Sequence, residues 1–338
     1  MVALAGRLSV VVLISVCTSC GGGGGDSPPP APPPPPPSKA FVADSGSAAI
    51  GSTSNPNPSP GPVPVDRIIQ GPNTTLSSWL FDVAVDAAND RLYASDQLSI
   101  VVFNNAGTAS GNIAPSRIVS QRSLAPGAAQ YQGFYLDTQN DRLYVTVVPH
   151  SVYVFDNVSA LSNAAPSRII STANDATYLF DVAVDTTKDV LYVYGLGAGS
   201  LTQIAVYDNA SGRFGSVDAD RMITIGDPLG SGPAVGMFID PANDRLYAPR
   251  NGQVLVFDNA STRDGLVGTT VIPTRTITLP VTAMSHIFVE LVADRLYAVD
   301  NNGVTIIANA STVNGVPPSG IRVVAASGSM YQAIAVKP

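Results

Sequence analysis

The 338-residue chain contains little cysteine, glutamate, lysine or histidine. Both cysteines, Cys17 and Cys20, lie within the first twenty residues, so the chain after them has neither a disulfide nor a thiol site. Glu290 is the one glutamate among 25 acidic residues, and there are only three lysines. Because these polar helix formers are scarce, the composition argues against amphipathic surface helices.

Charge and histidine content exclude further classes of function. The formal net charge of −7 comes without a basic patch, so nucleic acid and anionic lipid headgroups are poor partners. Two histidines leave little material for general acid–base catalysis near neutral pH. The sequence also lacks a Ser-His-Asp order with a nucleophile elbow, a Gly-rich phosphate loop and a Cys/His metal-ligand spacing. These absences favour a non-enzyme over an enzyme.

One phrase, Asp90-Arg91-Leu92-Tyr93, recurs along the chain. Near copies begin at Asp141, Asp189, Asp244 and Asp294, and a weaker copy runs from Lys39 to Asp44. A repeat of about 50 residues is the size of one four-stranded propeller blade. The aromatic residues at the shared position lie 48 to 55 residues apart, and they are Phe41, Tyr93, Tyr144, Tyr192, Tyr247 and Tyr297.

Each repeat contains the pattern of four strands. In the first complete repeat, residues 79–85, 91–95, 100–104 and 116–120 are apolar or alternating segments separated by turn residues. An Asp-Asn pair ends the third strand of most repeats. An arginine recurs in the fourth strand, at Arg67, Arg117, Arg168, Arg221, Arg275 and Arg322. We interpret the repeated acid and arginine as structural residues of turns and blade contacts.

The two ends of the repeat region complement each other. Residues 39–70 contain a second, third and fourth strand, whereas residues 330–336 contain a first strand with nothing after it. Pairing of these segments would complete a sixth blade and remove the exposed sheet edges. The sequence therefore predicts an all-β, six-bladed β-propeller of four-stranded blades over residues 39–338, closed by pairing of the C-terminal strand with the N-terminal strands.

The repeats resemble those of the NHL and YVTN class of bacterial propellers, through Leu143-Tyr144-Val145-Thr146 and the repeated Phe-Asp-Asn-Ala-Ser phrase. The phrase is also similar to that of uncharacterised propeller lipoproteins in this class. The resemblance covers about 300 residues, from residue 39 to the end. It implies an architecture rather than one activity, because such propellers include binding proteins, lactonases, lyases and scaffolds.

Residues 1–20 resemble a bacterial lipoprotein signal, with Arg7 before an apolar core that is too short to span a bilayer. We expect lipidation at Cys20, which follows small Ser19, with Cys17 or a plain secretory signal as alternatives. Residues 21–38 are then a Gly/Pro-rich tether, whose proline run forms a semi-rigid spacer of roughly 30 Å at about 3.1 Å per residue.

Polar residues alternate with small ones at one position of the predicted first strands. Asp82, Asp181 and His286 belong to alternate repeats, and could meet in the central channel near one mouth. Two carboxylates and an imidazole can bind a divalent metal such as calcium, and metal-bound water could attack an ester or lactone. The alternative is that the aspartates only cap free backbone amides. The full series in chain order is Asp82, Gly133, Asp181, Gly236, His286 and Ala333.

Four aromatic residues, Trp79, Tyr131, Tyr178 and Tyr331, lie at or near the start of first strands. Around one mouth they could stack on a sugar ring or a peptide. They could instead cover the ends of the interfaces between blades. Both interpretations are compatible with the sequence.

The sequence therefore predicts a monomeric propeller lipoprotein of the bacterial envelope, anchored in the outer membrane on its periplasmic or surface side. Its membrane contact is the lipid anchor alone, and nucleic acid is not a partner. We expect a non-catalytic module that binds an envelope protein, a carbohydrate or another small ligand on the face with the four aromatics. The alternatives are a metal-dependent, lactonase-like hydrolase and a structural envelope protein.

Overall fold

The computed structural model describes residues 38–54, 65–124, 130–172, 175–228, 236–281, 284–301, 303–317, 321–324 and 330–337. Cys20, the predicted signal segment and the tether as far as residue 37 lie outside these residues. No helix in the described part of the chain is long and apolar enough to cross a membrane.

The described residues form short strands joined by turns, with a few single-turn 3₁₀ helices at Pro72–Thr74, Arg122–Leu124, Ala198–Ser200, Pro241–Asn243 and Ala260–Thr262. The strands in chain order are β1 (Lys39–Asp44), β2 (Ala49–Thr53), β3 (Arg67–Gln70), β4 (Leu80–Asp86), β5 (Arg91–Asp96), β6 (Ser99–Asn104), β7 (Arg117–Gln121), β8 (Gln130–Asp137), β9 (Arg142–Val148), β10 (Ser151–Asp156), β11 (Arg168–Ser171), β12 (Tyr178–Asp185), β13 (Val190–Leu196), β14 (Leu201–Asp208), β15 (Gly215–Ser216), β16 (Arg221–Pro228), β17 (Phe238–Asp240), β18 (Arg245–Arg250), β19 (Gln253–Asp258), β20 (Gly265–Leu266), β21 (Arg275–Thr278), β22 (Met284–Glu290), β23 (Arg295–Asp300), β24 (Gly303–Ala308), β25 (Ile321–Val324) and β26 (Tyr331–Lys337).

These strands form six sheets, each with four antiparallel main strands, which confirms the predicted six-bladed β-propeller. Blade 1 is β4 to β7, blade 2 is β8 to β11, and blade 3 is β12, β13, β14 and β16. Blade 4 is β17, β18, β19 and β21, and blade 5 is β22 to β25. Blade 6 has the order β26-β1-β2-β3, so it contains both ends of the described chain.

The ring is closed by the pairing of β26 with β1. The antiparallel register runs from Lys39 opposite Lys337 to Asp44 opposite Tyr331, with a bulge near its end. Buried apolar side chains form six core clusters, and each lies between two neighbouring blades, including blades 5 and 6 and blades 6 and 1. An open row of six blades has only five such interfaces. The presence of a sixth cluster therefore shows that side-chain packing also closes the ring. Closure leaves no exposed sheet edge at the ends of the row of blades.

Two blades contain a short fifth strand, which is the one departure from the predicted four. β15 pairs in parallel with β11 of blade 2, and β20 pairs in parallel with β16 of blade 3. Each of these strands comes from the outer loop of the following blade. The added strand covers part of the outermost edge, which would otherwise expose unpaired backbone groups.

The repeated acid closes the turns at one end of each blade, which we call the lower face. Asp141 accepts hydrogen bonds from the amide of Ser159 at 2.8 Å and from its hydroxyl at 2.7 Å. The acid has a positive φ, which aspartate tolerates better than most residues. The same pair of bonds joins Asp189 to Ser211, Asp244 to Ser261 and Asp294 to Ser311. These acids are therefore structural, and the serine of the Asn-Ala-Ser phrase is their partner.

The repeated arginine of the fourth strand joins neighbouring blades. Arg117 Nη1 of blade 1 donates to the carbonyl oxygens of Val158 and Leu161 in blade 2, at 2.9 and 3.0 Å. Arg275 of blade 4 makes the equivalent bonds to blade 5. Arg67 and Arg168 bond carbonyl oxygens of the next blade in the same way, whereas Arg221 pairs with Asp208 of its own blade. These repeated residues therefore have structural roles, and functional sites are expected at positions that differ between blades.

Candidate functional site

The inner strands of the six blades surround a central channel that encloses about 190 Å³. Its wall is largely apolar. Side chains near the lower face, such as Ala84 and Val85, are half-buried, whereas Asp82 is 3% exposed. The channel therefore opens toward the lower face and becomes more enclosed toward Asp82. The lining residues are Asp82, Val83, Ala84, Val85, Phe134, Tyr135, Leu136, Asp181, Val182, Ala183, Met237, Phe238, Ile239, His286, Ile287, Phe288, Ile334, Ala335 and Val336.

The structure brings Asp82, Asp181 and His286 together across the channel. His286 Nε2 lies 3.2 Å from Asp82 Oδ1, although the two residues belong to blades 5 and 1. All three side chains are buried and line the cavity. We call these three residues the channel triad. The alternation of polar and small residues in the sequence therefore corresponds to one polar layer in an otherwise apolar channel.

Backbone amides hold the two carboxylates of the triad in place. Asp82 Oδ1 accepts the amide of Val83 at 2.7 Å, and Asp82 Oδ2 accepts the amide of Phe134 in blade 2 at 2.8 Å. Asp181 Oδ2 accepts the amide of Met237 in blade 4 at 2.6 Å. Each aspartate thus accepts a backbone amide of the following blade, as the alternative of amide capping predicts. Each also lines the cavity.

The small residues of the alternating series leave the space that the triad occupies. A Cβ atom at Gly133 would lie 2.3 Å from Asp181 Oδ1, and one at Gly236 would lie 2.4 Å from His286 Cδ2. Any larger residue would collide with the polar side chain of the next blade. Glycine at these two positions is therefore required by the triad rather than by the backbone conformation.

The Asp181 carboxyl group has a raised pKa in the channel. Burial raises the pKa of Asp181 well above its ordinary value, and the nearby Asp82 carboxylate raises it further. Hydrogen bonds from the amides of Met237 and Val182 act in the opposite direction and are outweighed. Two like charges in a poorly solvated site are costly, so the proton on Asp181 is held more tightly than on a free aspartate.

The donor set fits a metal ion poorly. In the part of the chain that the structure describes, no group of three or more histidine, cysteine or acidic side chains is arranged to hold one. Asp82 Oδ1 and Oδ2 each already accept a backbone amide, and His286 Nε2 lies 3.2 Å from Oδ1.

The four aromatic residues do not share one accessible surface. Trp79 is 58% exposed and Tyr178 is half-buried against Phe180, with their ring centroids 5.2 Å apart. Tyr131 is fully buried, and its hydroxyl lies 2.9 Å from Ser120 Oγ. Tyr331 is also buried, within the core between blades 5 and 6. Tyr131 and Tyr331 therefore pack between blades.

A different apolar surface lies around Trp79, on the end of the propeller where the inner strands begin, which we call the upper face. The amide of Gln97 donates to the Trp79 carbonyl at 3.1 Å, and the amide of Arg122 donates to the Leu98 carbonyl at 2.7 Å. These bonds place Trp79 and Leu98 beside the segment that leads to Leu124. We call Trp79, Leu98 and Leu124 the upper-face patch, and its side chains are 58%, 48% and 41% exposed. The sequence shows Leu98 and Leu124 only as isolated apolar residues in turns.

Comparison with known proteins identifies the fold and no family. No protein-family model matches the chain, and the comparison with curated proteins gives no match. Among solved structures, the propeller is similar to a chain from the crystal structure of a nidogen/laminin complex, with a TM-score of 0.58 and 13% sequence identity. The alignment covers 89% of this chain and 98% of that chain. At this identity the likeness concerns the fold alone.

Proposed function

We propose that this propeller is a protein-binding module that docks a folded partner on its upper face. The observation that carries the proposal is the upper-face patch, in which a tryptophan and two leucines are exposed on neighbouring segments that backbone hydrogen bonds join. Tryptophan is enriched among the residues that dominate binding energy at protein interfaces. Met330, which is 51% exposed, precedes the inner strand of the neighbouring blade 6 and so lies on the same face.

The propeller fold is compatible with a docking role. The similar chain comes from a protein–protein complex and has the same fold over nearly its whole length. Propellers present rigid, loop-covered faces on which partners can bind without ordering a flexible segment, which keeps the entropic cost of binding low. A docking role at one face requires no catalytic group, so we infer a non-catalytic function.

We further propose that the module is an NHL/YVTN-like lipoprotein of the bacterial envelope. The support is the sequence before the propeller, in which Cys20 follows a short apolar segment and precedes a glycine- and proline-rich tether. One lipid chain gives only reversible membrane binding, whereas multiple acylation gives a stable anchor. The tether would then hold the docking face at a distance from the membrane surface.

Replacement of Cys20 is expected to release the protein from membranes. In Cys20→Ala, incorporation of radiolabelled palmitate should fall to background, and the chain should move from the membrane fraction to the soluble fraction. Cys17→Ala is the matched control and should keep both the label and the membrane location. Equal labelling of Cys20→Ala and the unmodified chain would contradict the proposed lipidation site.

Photo-crosslinking tests the docking face directly. A photoreactive phenylalanine analogue placed at Leu98 or Leu124 of the full chain should give one discrete crosslinked species in cells. Trp79→Ala in the same chains should lower the crosslinking yield about tenfold, because loss of an interface tryptophan costs at least about 1.4 kcal/mol.

Two other exposed apolar residues provide the control for this experiment. Phe214 and Val292 lie away from the upper face and are 72% and 79% exposed, more than any residue of the patch. The analogue at these positions should give no discrete species. If Phe214 and Val292 crosslink as efficiently as Leu98 and Leu124, exposure alone explains the result and the docking face is wrong.

A metal-dependent hydrolase is the second hypothesis, favoured by the convergence of Asp82, Asp181 and His286 in one cavity. Under this hypothesis calcium, manganese or zinc should raise the melting temperature, and EDTA should reverse the rise. A metal at a hundred times its dissociation constant would add about 2.7 kcal/mol to the free energy of unfolding. The hydrogen bonds that already occupy Asp82 argue for the binding module.

A further inference from the structure

The channel places two carboxyl groups together in a poorly solvated layer. Two carboxyl groups, those of Asp82 and Asp181, line the cavity, whereas none of the described residues that line it is a lysine or an arginine. Both carboxyl groups are 3% exposed. Buried carboxylates are ordinarily paired with a cation or a metal, because an unpaired buried charge is strongly unfavourable. Burial and the Asp82 carboxylate raise the pKa of Asp181, and a cation in this layer would favour the ionised form again. The channel is therefore complementary to a positively charged group.

The third member of the triad has an unused hydrogen-bonding atom. A carboxylate only accepts hydrogen bonds, so the contact with Asp82 makes His286 Nε2 the donor and leaves Nδ1 as an acceptor in the neutral ring. His286 Nδ1 is buried and has no hydrogen-bond partner among the described residues. The His286 side chain is 8% exposed and lines the cavity. A ligand with a hydrogen-bond donor could satisfy this atom, which the protein leaves without a partner among the described residues.

The channel below the triad suits an apolar or aromatic body. Tyr135, Phe238 and Phe288 are half-buried and line it, and the rings of Phe238 and Phe288 meet edge to face with centroids 5.2 Å apart. Aromatic rings also attract cations through their negative faces. A cavity of about 150 Å³ accommodates benzene in another protein, so about 190 Å³ has room for one small ring or a short chain.

We propose that the channel binds a small primary amine, with its ammonium group at Asp181 and His286 and its apolar body among Tyr135, Phe238 and Phe288. The three N–H groups of an ammonium can bond a carboxylate oxygen and His286 Nδ1 together. The mouth of the channel is on the lower face, opposite the upper-face patch, so this site is independent of the proposed docking function.

Three isosteric probes separate the features of the proposed ligand. Benzylamine is protonated at pH 7, benzyl alcohol keeps the donor without the charge, and benzoate reverses the charge. Titration calorimetry with the purified full chain should show that benzylamine binds at least tenfold more tightly than benzyl alcohol. Benzoate should bind at least tenfold more weakly than benzyl alcohol.

Variants of the triad test which side chains cause the tighter binding of benzylamine. Asp181→Asn keeps the size of the side chain and an oxygen for the Met237 amide, and should lose the tenfold preference for benzylamine while it still binds benzyl alcohol. His286→Gln keeps an acceptor and should retain part of the preference. Asp96→Asn is the matched control, because Asp96 is also buried and also accepts backbone amides, but lies outside the channel. Its affinities should equal those of the unmodified chain.

Several results would overturn the proposal. These are equal binding of benzyl alcohol and benzylamine, tighter binding of benzoate, or no binding of any probe. Stabilisation by calcium, manganese or zinc that benzylamine does not compete with would identify a metal site instead. The probe series on the unmodified chain decides the question even if Asp181→Asn does not fold. The crosslinking of Trp79→Ala tests only docking at the upper face. Docking and amine binding in the channel can therefore be disproved separately.

Discussion

A chain that ends at residue 329, and so lacks β26, is expected to lose cooperative unfolding. β26 buries Tyr331, Ile334 and Val336 in the core between blades 5 and 6. Burial of side chains of this size contributes about 2 kcal/mol each. Their loss therefore removes about 6 kcal/mol, together with all pairing to β1, from a total stability that is typically about 5–15 kcal/mol. Circular dichroism during heating should show a broad, non-cooperative change.

Two substitutions within β26 show whether stability depends on the buried contacts of this strand or falls with any change in it. Gln332 lies in β26 with a half-buried side chain, so Gln332→Ala should change stability by no more than about 0.5 kcal/mol. Ile334→Ala should cost about 2–5 kcal/mol, because Ile334 is 1% exposed. A truncated chain that melts as sharply as the full chain would contradict a ring closed by β26.

Gly133→Ala is expected to be the most disruptive single-methyl change in the channel. The new Cβ would lie 2.3 Å from Asp181 Oδ1 and 2.8 Å from the Phe180 carbonyl oxygen, which belongs to the backbone and cannot rotate away. Overpacking of this kind costs about 3 kcal/mol. The melting temperature should fall by roughly 5 °C or more in a thermal scan.

The control for this change is a glycine with open space around it. At Gly212 the nearest atom to an added Cβ is the Asn209 carbonyl oxygen at 3.9 Å. Gly212→Ala should leave the melting temperature unchanged, or raise it slightly through loss of entropy in the unfolded chain. If the melting temperature fell equally in Gly133→Ala and Gly212→Ala, the loss of stability would not come from a collision with Asp181.

The fold was predictable because the sequence repeats its structural residues at nearly constant spacing. The buried tyrosine, the turn acid and the arginine of the fourth strand each recur, and the missing first strand of the N-terminal repeat is present near the C-terminus. These are local patterns with a fixed period, so one repeat predicts the others. The short strands β15 and β20 were not predictable, because they depend on pairing between one blade and the outer loop of the next.

The sites were predictable only in part. Alternation of polar and small residues identified Asp82, Asp181 and His286, because the same position of every inner strand faces the channel. The direct contact between Asp82 and His286 depends on the diameter of the closed ring, which no single repeat contains. Proximity to a strand start could not show that Tyr131 is buried and Trp79 is exposed, since that depends on the register between neighbouring blades.

The arrangement of both proposed sites depends on closure of the ring, and a disulfide tests closure most directly. In a chain with Cys17 and Cys20 replaced by serine, cysteines at Val42 and Ile334 would occupy directly opposed positions of β1 and β26. Opposed residues of paired strands lie within the separation that a disulfide spans. We expect rapid, nearly complete formation of this intramolecular disulfide, and little when Val42→Cys is combined with Ala335→Cys, whose side chain points to the other face. Equal yields from both pairs, or none from either, would contradict the closed six-bladed ring.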